Sequence, residues 1–506
     1  MQYKWKALGV VSIGSLMGAI DGTVLIIAFP RIANDLSASL VSMVWVLMIY
    51  ILMGTTLVLS LGRVADMKGR KRLYNAGFAV FVLGSALSGL AQSGVELVLF
   101  RGIQGVGGAM PVANSFAILS DAFPSGERGR AFGVNSVVWG TGAVFGIVLG
   151  GLILSITSWR WIFWINVPIG IAATVLAYYV LHESVTVRPR ETFDFVAAAL
   201  FTAGLASFLL GITEGILTTW GATEAIGPLL AAIPLLALFV LWELKISRDP
   251  ILPFGLFRSW LFSASLGASM LQGIAMFATN FLLMVYFQGI LGIDVLTAAY
   301  LLIPLSVTLG IVGPLGGRLS DRYGARVLST VGLVLQGVVL LAFSTITRST
   351  PLVEVALFEG LLGVGGGLFF PANTSAIMGG VPRERFGVAS GVMMTFRNSS
   401  MALSFALALV ALTSQLPAGV ASALFGGAFT PQMVAGLSPA GLDAVFLNGM
   451  HTAFRASALC VFAAATFSAL RGREARTERI YLRHRVRRGP TAYAVEVAQR
   501  PAPPHP

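Results

Sequence analysis

The sequence is poor in cysteine, histidine and charge, and these shortages exclude several classes of protein. Its one cysteine, Cys460, cannot form an intramolecular disulfide and lies in an apolar run, where it fits as a small buried hydrophobe. Charged residues make up 11% of the chain and hydrophobic residues 56%, a balance too apolar for an ordinary soluble domain. The pattern Gly-x-x-x-x-Gly-Lys-Ser/Thr does not occur, so ATP bound at a P-loop is not the energy source.

What the sequence has instead is a series of long apolar runs from residue 7 to about 470. Each run is close to the ~20 residues that an α-helix needs to cross the hydrocarbon core, so an all-α integral membrane protein is predicted. Asp21 interrupts the first run and no small-residue cleavage site follows it, which indicates a retained helix and not a signal peptide. The fourteen predicted spans are 7–29, 40–61, 73–92, 96–119, 131–154, 160–181, 195–213, 225–243, 262–288, 297–316, 328–346, 352–377, 387–412 and 448–470.

Positive charge is concentrated in alternate loops and in the Arg-rich tail, which together account for the net charge of +12. The positive-inside rule places these loops and both termini in the cytoplasm, as an even number of spans requires. We therefore expect a multi-pass protein of the cell inner (plasma) membrane. The tail is expected to contact anionic lipid headgroups and not nucleic acid.

The two halves of the chain repeat each other. Three pairs of segments recur at an offset of about 255 residues: 99–114 with 357–373, 62–69 with 317–324, and 132–134 with 386–388. This indicates that a six-helix unit was duplicated in parallel orientation and that two helices were inserted between the copies. The predicted organisation is a first six-helix bundle (1–185), two inserted transmembrane helices with a linker (186–258), a second six-helix bundle (259–470) with an extracellular loop (413–447), and a basic cytoplasmic tail (471–506). The loop 413–447 is interpreted equally well as a structured lid or as a mobile connection.

The loop between predicted spans two and three reads Gly62-Arg63-Val64-Ala65-Asp66-Met67-Lys68-Gly69-Arg70. Its glycines permit a tight turn and close helix approach, while Asp66 can cap a helix and pair with an arginine. Charges that only anchor the topology would not require this spacing or its repetition in the second half. We assign a gating role to a set of residues in both loops: Gly62, Arg63, Asp66, Gly69, Arg70, Asp321 and Arg322.

Two spans carry charged residues that can exchange or control a proton. Asp21, followed by Thr23, lies about fourteen residues into the first span, where an ionised carboxylate is costly and a protonated one is cheap. Arg101, grouped with Gln104 in span four, stays protonated but can act on a neighbouring carboxylate. The alternatives are a structural Asp21 that is hydrogen-bonded to Thr23 or to another helix, and an Arg101 that reaches to the nearby membrane surface.

Three further features complete the candidate site. Gly142, Gly146, Gly150 and Gly151 in span five have a spacing that lets two helices pack closely, which is also common in ordinary helix packing. Glu359 occupies the repeat position of Arg101 with the opposite charge, and we include it in the proton and substrate pathway. Arg397, deeper in span thirteen, can pair with a carboxylate or receive an anionic group of a substrate.

These motifs, in this order, resemble those of the major facilitator superfamily, and the Asp21 and Thr23 pair resembles the Asp-x-Thr motif of its fourteen-helix drug:proton antiporter family. Ile26 stands where that family has asparagine, and Ile147 stands where its antiporter motif has proline. The resemblance implies a major facilitator fold of two six-helix bundles with two inserted central helices. It also implies proton-coupled efflux of amphipathic, often cationic, drugs or antibiotics by alternating access.

An exporter or flippase of an endogenous lipid, siderophore or natural product, without proton coupling, is the alternative function. We expect no enzymatic activity, because no histidine, serine or metal-ligand set lies at one membrane depth. We also expect no cofactor apart from protons as the coupling ion. The expected partners are a small amphipathic substrate, protons and membrane lipids, with no nucleic acid and with the protein as a monomer.

Overall fold

The computed structural model describes residues 2–38, 40–183, 192–217, 222–293, 295–413 and 439–472. The described part of the chain is helical and contains no strand, which confirms the predicted all-α fold. The helices are α1 (Tyr3–Asp35), α2 (Leu40–Lys68), α3 (Arg70–Leu90), α4 (Gly94–Ala122), α5 (Arg128–Ile156), α6 (Trp161–Trp164), α7 (Asn166–Val180), α8 (Phe195–Leu217), α9 (Thr223–Lys245), α10 (Trp260–Met276), α11 (Thr279–Val285), α12 (Val295–Leu301), α13 (Ile303–Tyr323), α14 (Ala325–Phe343), α15 (Leu352–Gly379), α16 (Phe386–Thr413) and α17 (Pro439–Leu470).

These helices correspond to the fourteen predicted spans. The pairs α6 and α7, α10 and α11, and α12 and α13 each form one interrupted span. The break before α13 fits its sequence, since Pro304 lacks an N–H and is tolerated in the first turn of a helix. Within the described ranges, nine helices are long and apolar enough to cross a membrane when length and composition alone are considered.

The last helix begins earlier than predicted, at Pro439 instead of residue 448. Proline fits the first position of a helix, so α17 starts before its apolar stretch and extends beyond the predicted span. The predicted extracellular loop 413–447 is correspondingly shorter. Its residues 414–438, and residues 473–506 of the predicted tail, lie outside the described residues, so both interpretations of the loop stay predictions.

Helix packing divides the chain into two bundles. In the first, α1 contacts α4, α5 and α7, and α4 also packs against α2 and α3. In the second, α15 packs against α13 and α14, while α17 contacts α10, α14 and α16. The bundles meet along two seams, α2 with α16 and α5 with α13. The inserted helices α8 and α9 pack on each other, and α8 lies beside the first seam against α2 and α16.

The repeat seen in the sequence is also a repeat of backbone geometry. Gly69 joins α2 to α3 with φ of 110°, and Gly324 joins α13 to α14 with φ of 92°. Side chains other than glycine rarely adopt this left-handed region, so each two-helix turn depends on its single glycine. We call the membrane side that contains these turns the cation-rich end.

Candidate functional site

Asp21 and Arg101 form an ion pair inside the first bundle, where their side chains are 1% and 2% exposed. Arg101 Nη1 donates to Asp21 Oδ2 at 2.8 Å. The other carboxylate oxygen accepts hydrogen bonds from Gln104 Nε2 at 2.9 Å and from Asn166 Nδ2 at 3.1 Å. The pair therefore links α1, α4 and α7, and Arg101 points into the protein and not toward the membrane surface.

A second layer of groups holds this network in place. Arg101 also donates to Gln104 Oε1 at 2.6 Å, and its guanidinium lies 4.2 Å from the centre of the Tyr50 ring. Ser85 accepts hydrogen bonds from Gln104 and Asn166, and it donates to the backbone carbonyl of Phe163 at 2.9 Å. Opposite charges and the hydrogen bonds from neighbouring helices offset the cost of burying the ion pair. The arrangement can respond to a proton, because protonation of the carboxylate would remove its charge from the pair.

Thr23, which the sequence predicts to belong to the same site, lies two residues after Asp21 on α1. Its hydroxyl donates to backbone carbonyls of its own helix, at 3.1 Å to Ala19 and 3.3 Å to Ile20. Such bonds within a helix leave the side chain in a packing position against α5.

The glycines of α5 bring that helix into direct contact with α1. A Cβ atom added at Gly142 would lie 2.8 Å from Ala19 Cβ, and one at Gly146 would lie 2.8 Å from Ile20 O. At Gly150 the added atom would lie 3.1 Å from Val24 Cγ2, whereas Gly151 faces open space. Three of the four predicted glycines thus permit the close approach of α5 to α1, the helix that carries Asp21.

At the cation-rich end, Asp66 connects the two bundles across the first seam. Its carboxylate accepts hydrogen bonds from the backbone N–H groups of Gly387 and Val388, both at 2.9 Å, at the start of α16. It also accepts a hydrogen bond from Arg70 Nη2 at 2.6 Å. A carboxylate at a helix N-terminus satisfies donors that have no partner within the helix and interacts favourably with the helix dipole.

Asp321 repeats this arrangement across the second seam. It accepts hydrogen bonds from the backbone N–H groups of Gly129 and Arg130, both at 3.1 Å, at the start of α5. Because each half of the protein caps a helix of the other half, the two loops predicted to gate the protein lie at different seams. Both seams are closed at this end of the structure.

An additional charge cluster strengthens the first seam. Arg70 forms an ion pair with Asp121 at the end of α4, and its Nη2 donates to the backbone carbonyl of Arg383 at 3.0 Å. Arg383 Nε in turn donates to Asp121 Oδ1 at 2.8 Å. Two arginines from different bundles therefore share one buried carboxylate.

The other residues that the sequence predicts to have a gating role lie in different positions. Arg63 is buried and within electrostatic range of Glu243 and Asp249, which belong to the end of α9 and the following linker. Gly69 supplies the left-handed turn described above. Arg322 is exposed, with its guanidinium 5.4 Å from the centre of the Tyr323 ring, and lies outside the capped seams.

The two isolated charges of the second bundle do not pair with each other. Glu359 has an exposed fraction of 0%, and neither of its carboxylate oxygens has a hydrogen-bond partner among the described residues. Arg397, on α16, lies over the ring of Trp139 on α5, 5.3 Å from its centre. The structure therefore brings together Asp21, Arg101 and Gln104, and places Glu359 and Arg397 apart from them.

The residues at these sites that sequence reasoning missed include Ser85, Tyr50, Trp139 and Asp121. Asp121 has the strongest signal, because an acidic residue at the end of α4 adjoins loops rich in arginine. Trp139 and Tyr50 resemble ordinary apolar residues of a span, since their partners come from other helices. Their roles depend on packing.

Comparison with known proteins supports the same architecture. The family model described as the Major Facilitator Superfamily matches residues 11–405. The riboflavin transporter RibZ of Clostridioides difficile is 31% identical over 80% of this chain and 88% of its own. The multidrug transporter protein MdtP of Bacillus subtilis is 29% identical over 76% of this chain and 71% of its own. The crystal structure of the human organic anion transporter MFSD10 matches the fold with a TM-score of 0.61 at 15% identity, covering 92% of this chain and 99% of that one.

Proposed function

The chain belongs to the major facilitator superfamily, and we propose that it exports amphipathic drugs or antibiotics in exchange for protons by alternating access. In this proposal it acts as a monomer in the plasma membrane, with both termini in the cytoplasm. The similarity to a multidrug transporter supports the substrate class. The observation that carries the proton coupling is the buried ion pair between Asp21 and Arg101.

The ion pair is suited to proton coupling because its electrostatic energy changes when the carboxylate binds a proton. Arg101 keeps its charge at any working pH, so only the carboxylate of Asp21 can change its protonation. Proton binding to Asp21 would leave the buried guanidinium of Arg101 without its counter-charge. Gln104 and Asn166 would then face a neutral acid, and a different packing of α1 against α4 and α7 becomes favourable.

The two capped seams supply the alternating movement in this proposal. Opening at the cation-rich end requires both Asp66 and Asp321 to leave the helix N-termini that they cap. The bundles would then rotate about the site between them, which closes the opposite end.

Glu359 is the second candidate for a proton carrier. A carboxylate with no hydrogen-bond partner among the described residues and no exposure is strongly disfavoured in its charged form. We propose that Glu359 carries a proton while its surroundings are dry and releases it when the second bundle admits water.

The test is a proton-flux measurement in proteoliposomes that contain wild-type protein, Asp21→Asn or Glu224→Gln. Glu224 is an exposed carboxylate at the start of α9, so its substitution is the matched control. A pH gradient is imposed and a panel of anionic, neutral and cationic amphipathic dyes is added. We expect dye-triggered proton flux in the wild type and control, and at least a tenfold loss in Asp21→Asn.

Dye movement that is equal in all three proteins and is not accompanied by proton flux would contradict the antiport proposal. That result would favour the alternative, an uncoupled exporter or flippase of an endogenous lipid, siderophore or natural product. The similarity to a riboflavin transporter is the observation that supports a natural small molecule as the substrate.

A further inference from the structure

Arg397 and Trp139 form a contact between the two bundles at the middle of the protein. Arg397 lies on α16 of the second bundle and Trp139 on α5 of the first, with 5.3 Å between the guanidinium carbon and the ring centre. Each residue comes eleven positions after the first residue of its helix, Phe386 or Arg128. At 1.5 Å per residue both lie ~16 Å from the cation-rich end, near the centre of a ~30 Å hydrocarbon core.

Trp139 also reaches toward the helix that carries the proposed coupling residue. A Cβ atom added at Gly18 on α1 would lie 4.0 Å from Trp139 Cη2. Gly18 precedes Asp21 by three residues, which is about one turn of a helix. The contact between Arg397 and Trp139 is thus adjacent to the Asp21 network but separate from it.

No acidic side chain in the described part of the chain balances the charge of Arg397. Among the described residues its guanidinium contacts the Trp139 ring and forms no ion pair or hydrogen bond. Asp21 and Glu359, the buried carboxylates at membrane depth among the described side chains, do not compensate it, because Asp21 is bound to Arg101 and Glu359 lies inside the second bundle. Arginine remains charged, so this position presents a permanent cation in a region of low dielectric constant.

We propose that Arg397 and Trp139 form a substrate site that selects planar aromatic compounds carrying an acidic group. The guanidinium supplies two parallel N–H donors that match a carboxylate, and the indole supplies a flat surface for an aromatic ring. A cationic substrate would be repelled by the same guanidinium. The inference rests on the proposed transport function and replaces the cationic substrates expected from the family resemblance with anionic ones.

Two dyes that share one ring system test the charge preference. Fluorescein is an anion and rhodamine 123 a cation, and both contain a xanthene ring. Equilibrium binding to the purified full-length protein in nanodiscs is measured by fluorescence polarisation, with no pH gradient. We expect the wild type to bind fluorescein at least tenfold more tightly than rhodamine 123.

Substitutions assign the preference to the two residues. Arg397→Gln should weaken fluorescein binding at least tenfold, while Arg397→Lys should retain part of the affinity because it keeps the charge. Trp139→Ala should weaken both dyes and Trp139→Phe should retain them. Arg455→Gln, which changes an exposed arginine on α17, is the control and should leave both affinities unchanged.

Tighter binding of rhodamine 123, or unchanged fluorescein binding in Arg397→Gln, would overturn the inference. Because these measurements use no proton gradient, their failure is distinct from a failure of proton antiport. Asp21→Asn should lower dye-triggered proton flux at least tenfold and still bind fluorescein in preference to rhodamine 123.

Discussion

Charged side chains inside this protein fall into two groups, those with a counter-charge and those without one. Asp21 with Arg101, and Asp66 with Arg70, are buried as pairs whose hydrogen bonds are also satisfied. Among the described residues, the half-buried Arg397 has an aromatic ring and no counter-charge beside it. Paired charges can fix helices in position at modest net cost, whereas an unpaired charge at membrane depth is retained only where it has a use.

The buried pair makes a prediction about stability. Asp21→Asn and Arg101→Gln should each lower the free energy of unfolding by ~3–5 kcal/mol, because each leaves a buried partner without its counterpart. The double variant should lose much less than the sum of the two. Unfolding in mixed micelles with increasing SDS measures all four proteins, and losses that simply add would contradict the pairing.

Among the helices, contact between backbones decides how the seams close. A Cβ atom added at Gly387 would lie 2.5 Å from Gly62 O, and one at Gly129 would lie 2.6 Å from Gly317 O. Backbone carbonyls cannot move aside as a flexible side chain can, so both seams require glycine at these positions. The glycines permit the distance at which Asp66 and Asp321 reach the opposite helices.

Gly62→Ala should therefore open the cation-rich end. The added methyl would clash with the backbone of Gly387, which destabilises only the closed seam. Gly54→Ala on the same helix is the control, since nothing lies within 4 Å of its added Cβ. We expect at least a tenfold faster alkylation of a cysteine placed at the buried Ser390, in a background where Cys460 is alanine. Equal rates in Gly62→Ala and Gly54→Ala would show that the seam tolerates the methyl.

For the whole molecule, the duplicated architecture implies that the two seams open together. Asp66 closes the seam of α2 with α16, and Asp321 closes the seam of α5 with α13. If the bundles move as rigid bodies, one rotation breaks both caps. Their contributions to the closed state then belong to a single equilibrium.

Asp66→Ala and Asp321→Ala test this shared equilibrium, because alanine has no oxygen to accept the hydrogen bonds of the capped helix. Each should shift it toward opening by ~0.5–2 kcal/mol, the usual range for a lost helix cap, and the double variant should show the sum. Distances between spin labels across each seam measure the open fraction. A single variant that opens one seam and leaves the other closed would show that the bundles do not move as rigid bodies.

The sequence by itself determined the features that are local or periodic. Apolar runs determine the spans because each helix must satisfy its own backbone within the membrane, and the repeat determines that there are two similar bundles. Asp21 and Arg101 were identifiable because a charge within an apolar run is rare enough to require a reason. The start of α17 was missed because a helix can continue beyond the hydrocarbon core, where hydropathy gives no signal.

Only the tertiary structure decided which residues meet. Asp21 pairs with Arg101, which lies 80 residues away in the sequence. Asp66 accepts a hydrogen bond from the backbone N–H of Val388, which lies 322 residues away. The contact of Arg397 with Trp139 and the isolation of Glu359 likewise depend on how helices from separate parts of the chain pack. Helix packing is set by the shapes of whole surfaces, so a local pattern can identify a charge that needs a partner but cannot determine which partner it has.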